Sequence, residues 1–200
     1  MRVERNADGT YNVWMSRNEY QRLVRCTEST EEEIALRLMG DCGLRSKEVL
    51  NARYSDVKRS GNGNSYFLRV RHGKDSTGEK LGGKYRETWL PDDLEMRLYK
   101  FKEENDLEHD EPLVQVSRRT LNNWVSYAGN DAANQYNDED YHKVSTHDLR
   151  RQWAQHLLVE QRVNPRVVMS LGGWGSYSAI EPYLNAPSEK HIVEEMHGIL

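Results

Sequence analysis

The stretch Thr146-His147-Asp148-Leu149-Arg150 decides how the chain is read. Thr146 is a good helix N-cap, and Trp153, Ala154, Leu157 and Leu158 follow at helical spacing, which predicts a helix from His147 to about Glu160. His147 and Arg150 then project from one face of its first turn. The free N–H groups there, and the positive end of the helix dipole, add to their charge. Such an arrangement can hold a phosphate, and on its own it implies anion binding only.

Downstream, Asn164-Pro165 stops this helix, and a short one leads to Leu171-Gly172-Gly173-Trp174. One or two helical turns over Ser176 to Leu184 carry Tyr183, and Pro187 and Ser188 start a last helix that ends in Ile199 and Leu200. Upstream, Gly129 to Asp140 is polar and acidic and reads as mobile. Ser117 caps a helix with Leu121, Trp124, Val125 and Ala128 on its apolar face and Arg118 and Arg119 opposite. Pro91 and Asp92 open another, with Leu94, Leu98 and Phe101 on one side.

Ser65 to Arg71 and Tyr85 to Leu90 read as strands, and the Gly- and Lys-rich connection His72 to Lys84 gives their hairpin a basic tip. Ser16 with Glu19 forms a capping box for a first helix, and Ser29 caps a second that stops near Gly43. Arg45 falls at the junction with a third helix, which Ser46 can cap. Residues 1–15, with a turn at Asn6 to Thr10, look like an extended lead-in. The fold expected is α+β, mainly α: a helical domain over 16–200 with one small antiparallel β-sheet.

Two hundred residues are enough for one domain with a substantial core. No apolar run is long enough to span a membrane and no cationic-then-apolar leader is present, so a soluble, cytoplasmic protein is expected. Cys26 and Cys42 lack a Cys or His at ligand spacing and read as buried thiols of a reducing compartment. A net charge of −4 and a pI near 6.0 argue against a protein that clings to nucleic acid over its whole surface. The charge is regional, however. Acidic groups crowd Glu28 to Glu33, Lys102 to Glu111 and Asp138 to Asp140, whereas basic groups crowd Arg45 to Arg59, Arg69 to Arg86 and Lys143 to Arg166. An acidic shell around a basic groove fits this, and would suit a salty cytoplasm; charges scattered over a solvated surface fit composition alone equally well.

Four short motifs occur in order: Gly-Leu-Arg-Ser-Lys-Glu at 43–48, His-Asp-Leu-Arg at 147–150, Gly-Gly-Trp at 172–174, and Tyr183 nine residues after Trp174. From about Ser16 to the C-terminus the chain resembles the catalytic domain of the tyrosine recombinases, the integrase, Xer and Cre group. The specificity lies in the ordered set, since one His-x-x-Arg alone is weak. The resemblance implies site-specific cleavage and rejoining of double-stranded DNA through a 3′-phosphotyrosyl intermediate, with no cofactor and no metal. It assigns Arg45, Lys74, His147, Arg150, Trp174 and Tyr183 to catalysis, with Glu48 orienting Arg45 or His147. Arg118, Arg119 and Arg151 are the further DNA contacts expected.

These residue types suit that chemistry. Arg45 and Arg150 can fork onto non-bridging phosphate oxygens and stabilise the charge that develops there, and His147 adds a third donor. Trp174 stands where many relatives carry histidine; its indole N–H donates but accepts no proton. Tyr183, one of 11 tyrosines, is the candidate nucleophile, and its phenol, with an ordinary pKa of about 10, needs activation by the cations or by His147. Lys74 matches the family's Gly-Lys position as general acid for the leaving 5′-oxygen, ahead of Lys80 and Lys84 in the same connection. Singly, each residue has an ordinary reading: a surface ion pair for Arg45 and Glu48, a helix-terminal His147, a core Trp174.

His142 and His147 straddle a helix start without a third ligand, so no metal is expected. Gly172-Gly173-Trp174-Gly175 lacks the ending of a nucleotide loop. The larger family members carry an N-terminal helical clamp, absent here, so the chain is expected to be a fragment or a minimal enzyme, monomeric in solution and tetrameric on paired DNA sites. The alternatives are a type IB topoisomerase-like relaxase and a catalytically silent DNA-binding regulator.

Overall fold

A computed structural model describes residues 1–71, 86–184 and 196–197. The most apolar helical stripe becomes its centre. In α2 (Thr30–Gly40), Ile34, Ala35, Leu36, Leu38 and Met39 are buried all round, which is how a helix looks when neighbours surround it. Ser29 caps it, its hydroxyl accepting from the Glu32 N–H at 3.2 Å. Around α2 pack α1 (Arg17–Val24), α4 (Asp92–Glu104), α5 (Arg118–Tyr136) and α6 (Thr146–Gln155), with the short α3 (Ser46–Val49) following it directly. Leu94 and Leu98 of α4 and Leu121, Val125 and Ala128 of α5 face this core, as their spacing predicts.

The predicted strands form as β4 (Tyr66–Val70) and β5 (Arg86–Leu90), paired antiparallel with Leu68 opposite Thr88. A third strand that periodicity did not reveal, β3 (Val57–Arg59), pairs with β4; three residues are too few to show alternation. One face of the sheet sends Leu68, Val70, Thr88 and Leu90 into the core, and the other carries Phe67 and Trp89, whose rings meet edge to face at 5.5 Å. The fold is thus mainly helical with small antiparallel sheets.

Four local expectations are corrected. Residues 1–15 are more than an extended lead-in: β1 (Arg2–Arg5) and β2 (Tyr11–Trp14) make a hairpin whose Val13, Trp14 and Met15 are buried. Gly129 to Asp140 is helical as far as Tyr136, because Ala128, Gly129, Ala132 and Ala133 continue a buried small-residue stripe that the polar composition masks. The cap of α6 is Ser145, not Thr146: Ser145 N–H and Oγ both donate to Asp148 Oδ2, at 2.9 and 2.6 Å. The cap of α3 is Arg45, not Ser46, and its N–H donates to Glu48 Oε2 at 2.8 Å. Cys26 and Cys42 are buried free thiols, as expected.

A second apolar cluster closes the C-terminal side. Trp153, Ala154, Leu158, Val168 of α7 (Pro165–Gly172) and Ile180 are buried there, with Trp174 and Tyr183 packed against them. No helix among the described residues is long and apolar enough to cross a membrane. The connection His72 to Lys84, with Lys74, Lys80 and Lys84, lies outside the described residues, as does the expected helix from Ser188 to Leu200 apart from residues 196–197.

Candidate active site

The site begins where α2 ends. Gly43 turns with φ +67°, and a Cβ there would lie 2.5 Å from the Trp153 ring, so only glycine lets the chain pass under that indole. Leu44 N–H then reaches back to the Leu38 carbonyl at 3.1 Å, which delivers Arg45 to the start of α3. Glu48, with its side chain 3% exposed, takes the Arg45 guanidinium on Oε1 at 2.8 Å.

Arg150 comes from the first half of α6 and is buried, its side chain 5% exposed. Its Nη1 donates to the Gly43 carbonyl and its Nη2 to the Gly172 carbonyl at 2.6 Å, tying together the turns that lead to Arg45 and to Trp174. Its Cζ lies 4.3 Å from the centroid of the Trp174 ring. Trp174 is stacked on Trp153 at 5.9 Å. Gly172 admits this packing, since a Cβ there would lie 2.1 Å from Trp174.

Arg45, Glu48, His147 and Arg150 line one pocket of about 360 Å³, together with Ser46, Lys47, Arg118 and Thr146. The start of α3 and the first turn of α6, about a hundred residues apart in sequence, therefore open onto one cavity. Tyr183 is not in its lining. The phenol ring, on a short 3₁₀ turn (Glu181–Tyr183), packs against Trp174 at 5.4 Å and edge-on to Trp14 at 6.5 Å. Arg150 and Tyr183 thus lie against the same indole.

Of the other arginines, Arg118 borders the pocket and Arg119 is exposed beside it in sequence without lining it. Arg151 turns to Asp148, to Asn12 Oδ1 at 2.8 Å and over the Trp14 ring at 5.2 Å, so its guanidinium fastens the N-terminal hairpin to α6. Lys74 lies outside the described residues.

Arg86 belongs to the cluster although no motif marks it. Arg86 donates from Nη2 to Glu48 Oε2 at 2.8 Å, with its side chain 9% exposed. A signal existed: counting back by twos from Leu90 and Thr88 places Arg86 on the inward face of β5, where a lone cation is anomalous. Ser46, Lys47 and Thr146, to which the motifs assign no catalytic role, complete the lining.

The electrostatics are those of an anion site. Burial first, then the neighbouring Arg45 and Arg86, push Arg150 down to about 9. It remains a cation at neutral pH, held at a cost that an arriving anion would relieve. Burial, and then Arg45, also lower Arg86. Loss of solvent, and then Arg151, hold His147 below the ordinary imidazole value of 6.5, so it is neutral at pH 7 and able to accept a proton. Among the described residues, no three His, Cys, Asp or Glu side chains gather as metal donors would.

The fold has solved relatives. XerA recombinase is 20% identical, with a TM-score of 0.69 over 93% of this chain and 64% of that one. XerH site-specific recombinase bound to difH substrate is 16% identical, with a TM-score of 0.69 over 96% of this chain and 59% of that one. A lambda integrase dimer bound to a COC′ core site is 17% identical, with a TM-score of 0.57 over 86% and 47%. The chain therefore spans 47% to 64% of the length of these three. No curated protein matches it in sequence. The phage integrase family model covers residues 13–190, from the buried β2 through all four motifs and past Tyr183, and the chain belongs to that family, the tyrosine recombinases.

Proposed function

We propose that the protein is a site-specific DNA strand transferase that cleaves and rejoins double-stranded DNA through Tyr183. The observation that carries this is the convergence of Arg45, His147 and Arg150 on one pocket, with Arg150 stacked on the indole against which Tyr183 packs. In the reaction, Tyr183 Oη attacks the scissile phosphorus, the P–O5′ bond breaks, and a 3′-phosphotyrosyl link forms. The phenolic proton passes to His147 or to solvent, and Lys74 supplies a proton to the leaving 5′-oxygen. Arg45 and Arg150 hold the non-bridging oxygens as charge builds on them. Trp174 contributes packing beneath Arg150 and an N–H donor, and no base. A second 5′-hydroxyl then takes the phosphate back, so the energy of the broken bond is retained without a nucleotide.

Arg118, on the pocket wall, and Arg119 are proposed to meet the flanking DNA backbone. The XerH and lambda integrase structures are of DNA complexes, which supports duplex DNA as this chain's partner. The assembly proposed is a monomer in solution that tetramerises on paired sites in the cytoplasm.

A duplex nicked near the cleavage position, drawn from repeats flanking the gene, is expected to trap a covalent adduct with the wild-type protein and none with Tyr183→Phe. An adduct with Tyr183→Phe would refute the nucleophile. Relaxation of any supercoiled plasmid without site preference would support the topoisomerase reading, and tight site binding without an adduct would support a silent regulator.

A further inference from the structure

Arg86 is an expensive residue for the inward end of a strand. Its side chain is 9% exposed, one of its nitrogens is bonded to Glu48, and its Nε and Nη1 have no hydrogen-bond partner among the described residues. A buried cation with unmet donors opposes folding, and an apolar side chain of similar volume there would not. Space has nevertheless been kept for it. Gly173 turns with φ +68°, and a Cβ there would lie 2.7 Å from Arg86 Cδ and 2.8 Å from its Nε. Arg86 thereby joins β5, the start of α3 and the turn before Trp174.

The geometry around Glu48 suggests why. Oε1 accepts from Arg45, and Oε2 accepts from the Arg45 N–H and from Arg86, both at 2.8 Å. Arg150 Nη1 makes only a long ion pair with the same Oε2, at 4.0 Å, which would tighten if that oxygen were released. Three guanidiniums share one carboxylate, which leaves a formal excess of two positive charges for an incoming phosphate. Without Arg86 the excess falls to one, and Oε2 is free to close on Arg150. The depression of Arg150 by Arg45 and Arg86 is the electrostatic trace of that crowding.

We infer that Arg86 is a positioning residue for the phosphate site: by occupying Glu48 Oε2 it prevents that carboxylate from neutralising Arg150. The inference rests on the strand-transfer reading above. It differs from a packing role in one consequence, that removing the carboxylate repairs the loss of Arg86.

The test is single-turnover cleavage of the nicked duplex by wild type, Arg86→Met, Arg86→Lys, Glu48→Gln and the Arg86→Met/Glu48→Gln double variant, with duplex affinity and thermal melting measured in parallel. Substitutions behind a reactive group cost about 10- to 100-fold, so Arg86→Met is expected to cleave about 30-fold more slowly with duplex affinity within about threefold. The double variant should recover about tenfold over Arg86→Met, and Arg86→Lys, which keeps the charge, should stay within about threefold of wild type. Wild-type rate in Arg86→Met, or a double variant no faster than Arg86→Met, overturns the inference. If Arg86→Met does not unfold cooperatively, Arg86→Lys decides, and a loss beyond about tenfold there counts against it. Absence of cleavage by wild type refutes the strand-transfer reading instead, so the two failures are distinguishable.

Discussion

Gly43 and His147 show what single residues contribute. Replacing Gly43 by alanine imposes a left-handed backbone on a residue with a Cβ, at about 1–2 kcal/mol, and drives that Cβ to within 2.5 Å of Trp153. Overpacking adds about 1–3 kcal/mol, and because the Gly43 carbonyl accepts from Arg150, the turn cannot shift without moving that guanidinium. Gly43→Ala is therefore expected to lose about 2–5 kcal/mol in urea unfolding and to lose cleavage in the surviving folded fraction. His147 contributes a pH dependence. Its folded pKa is lowered, so below the ordinary value of 6.5 the unfolded chain binds a proton that the folded protein resists. Stability drops as pH falls from that value to the lower folded one, and His147→Asn should flatten that part of the curve, as urea midpoints from pH 7.5 to 5 would measure. Equal slopes in both proteins would contradict it.

At this scale the sequence was informative wherever chemistry repeats in a fixed spacing. Arg45, His147, Arg150, Trp174 and Tyr183 carry motif positions, and the first three open onto one pocket while Trp174 lies under Arg150 with Tyr183 against its ring. Arg86 has no motif. Its role depends on the register of β5 against β4 and on Glu48 arriving from another element, neither of which a linear spacing encodes.

Among the elements, α6 is the most dependent on one side chain. Asp148 is wholly buried and accepts from Ser145 N–H and Oγ, from Val13 N–H at 2.9 Å, and from Arg151. One carboxylate thus caps the helix, holds the N-terminal hairpin and balances the half-buried Arg151. Asp148→Ala should cost about 3–5 kcal/mol and free the hairpin to proteases, which urea unfolding and limited proteolysis would measure. A loss below about 1 kcal/mol would mean that the cap is solvated and the hairpin held by its apolar contacts alone. Ser46 and Thr146 both have cap chemistry, so spacing alone places these element starts one residue late, whereas the reciprocal bonds of Arg45 with Glu48 and Ser145 with Asp148 fix the true boundary. The hairpin escaped notice since its partner is the buried Asp148, 135 residues away.

For the whole molecule, a net charge of −4 surrounds a pocket lined by Arg45, Lys47, Arg118, His147 and Arg150. Duplex binding is then expected to be weak without a specific site and steep in salt, with log affinity falling linearly in log salt, and the free protein is expected to sediment as a monomer. A stable tetramer without DNA would contradict this.

The central claim is that the phenol beside Trp174 becomes the covalent anchor for a phosphate held by Arg45 and Arg150. Peptide mapping by mass spectrometry of the adduct trapped on a nicked duplex tests it directly. The account predicts a 3′-phosphonucleotide on Tyr183 and on no other tyrosine, and its loss when Arg150 is replaced by alanine. A nucleotide mapped to the exposed Tyr177, or an adduct that forms at wild-type rate without Arg150, would contradict it.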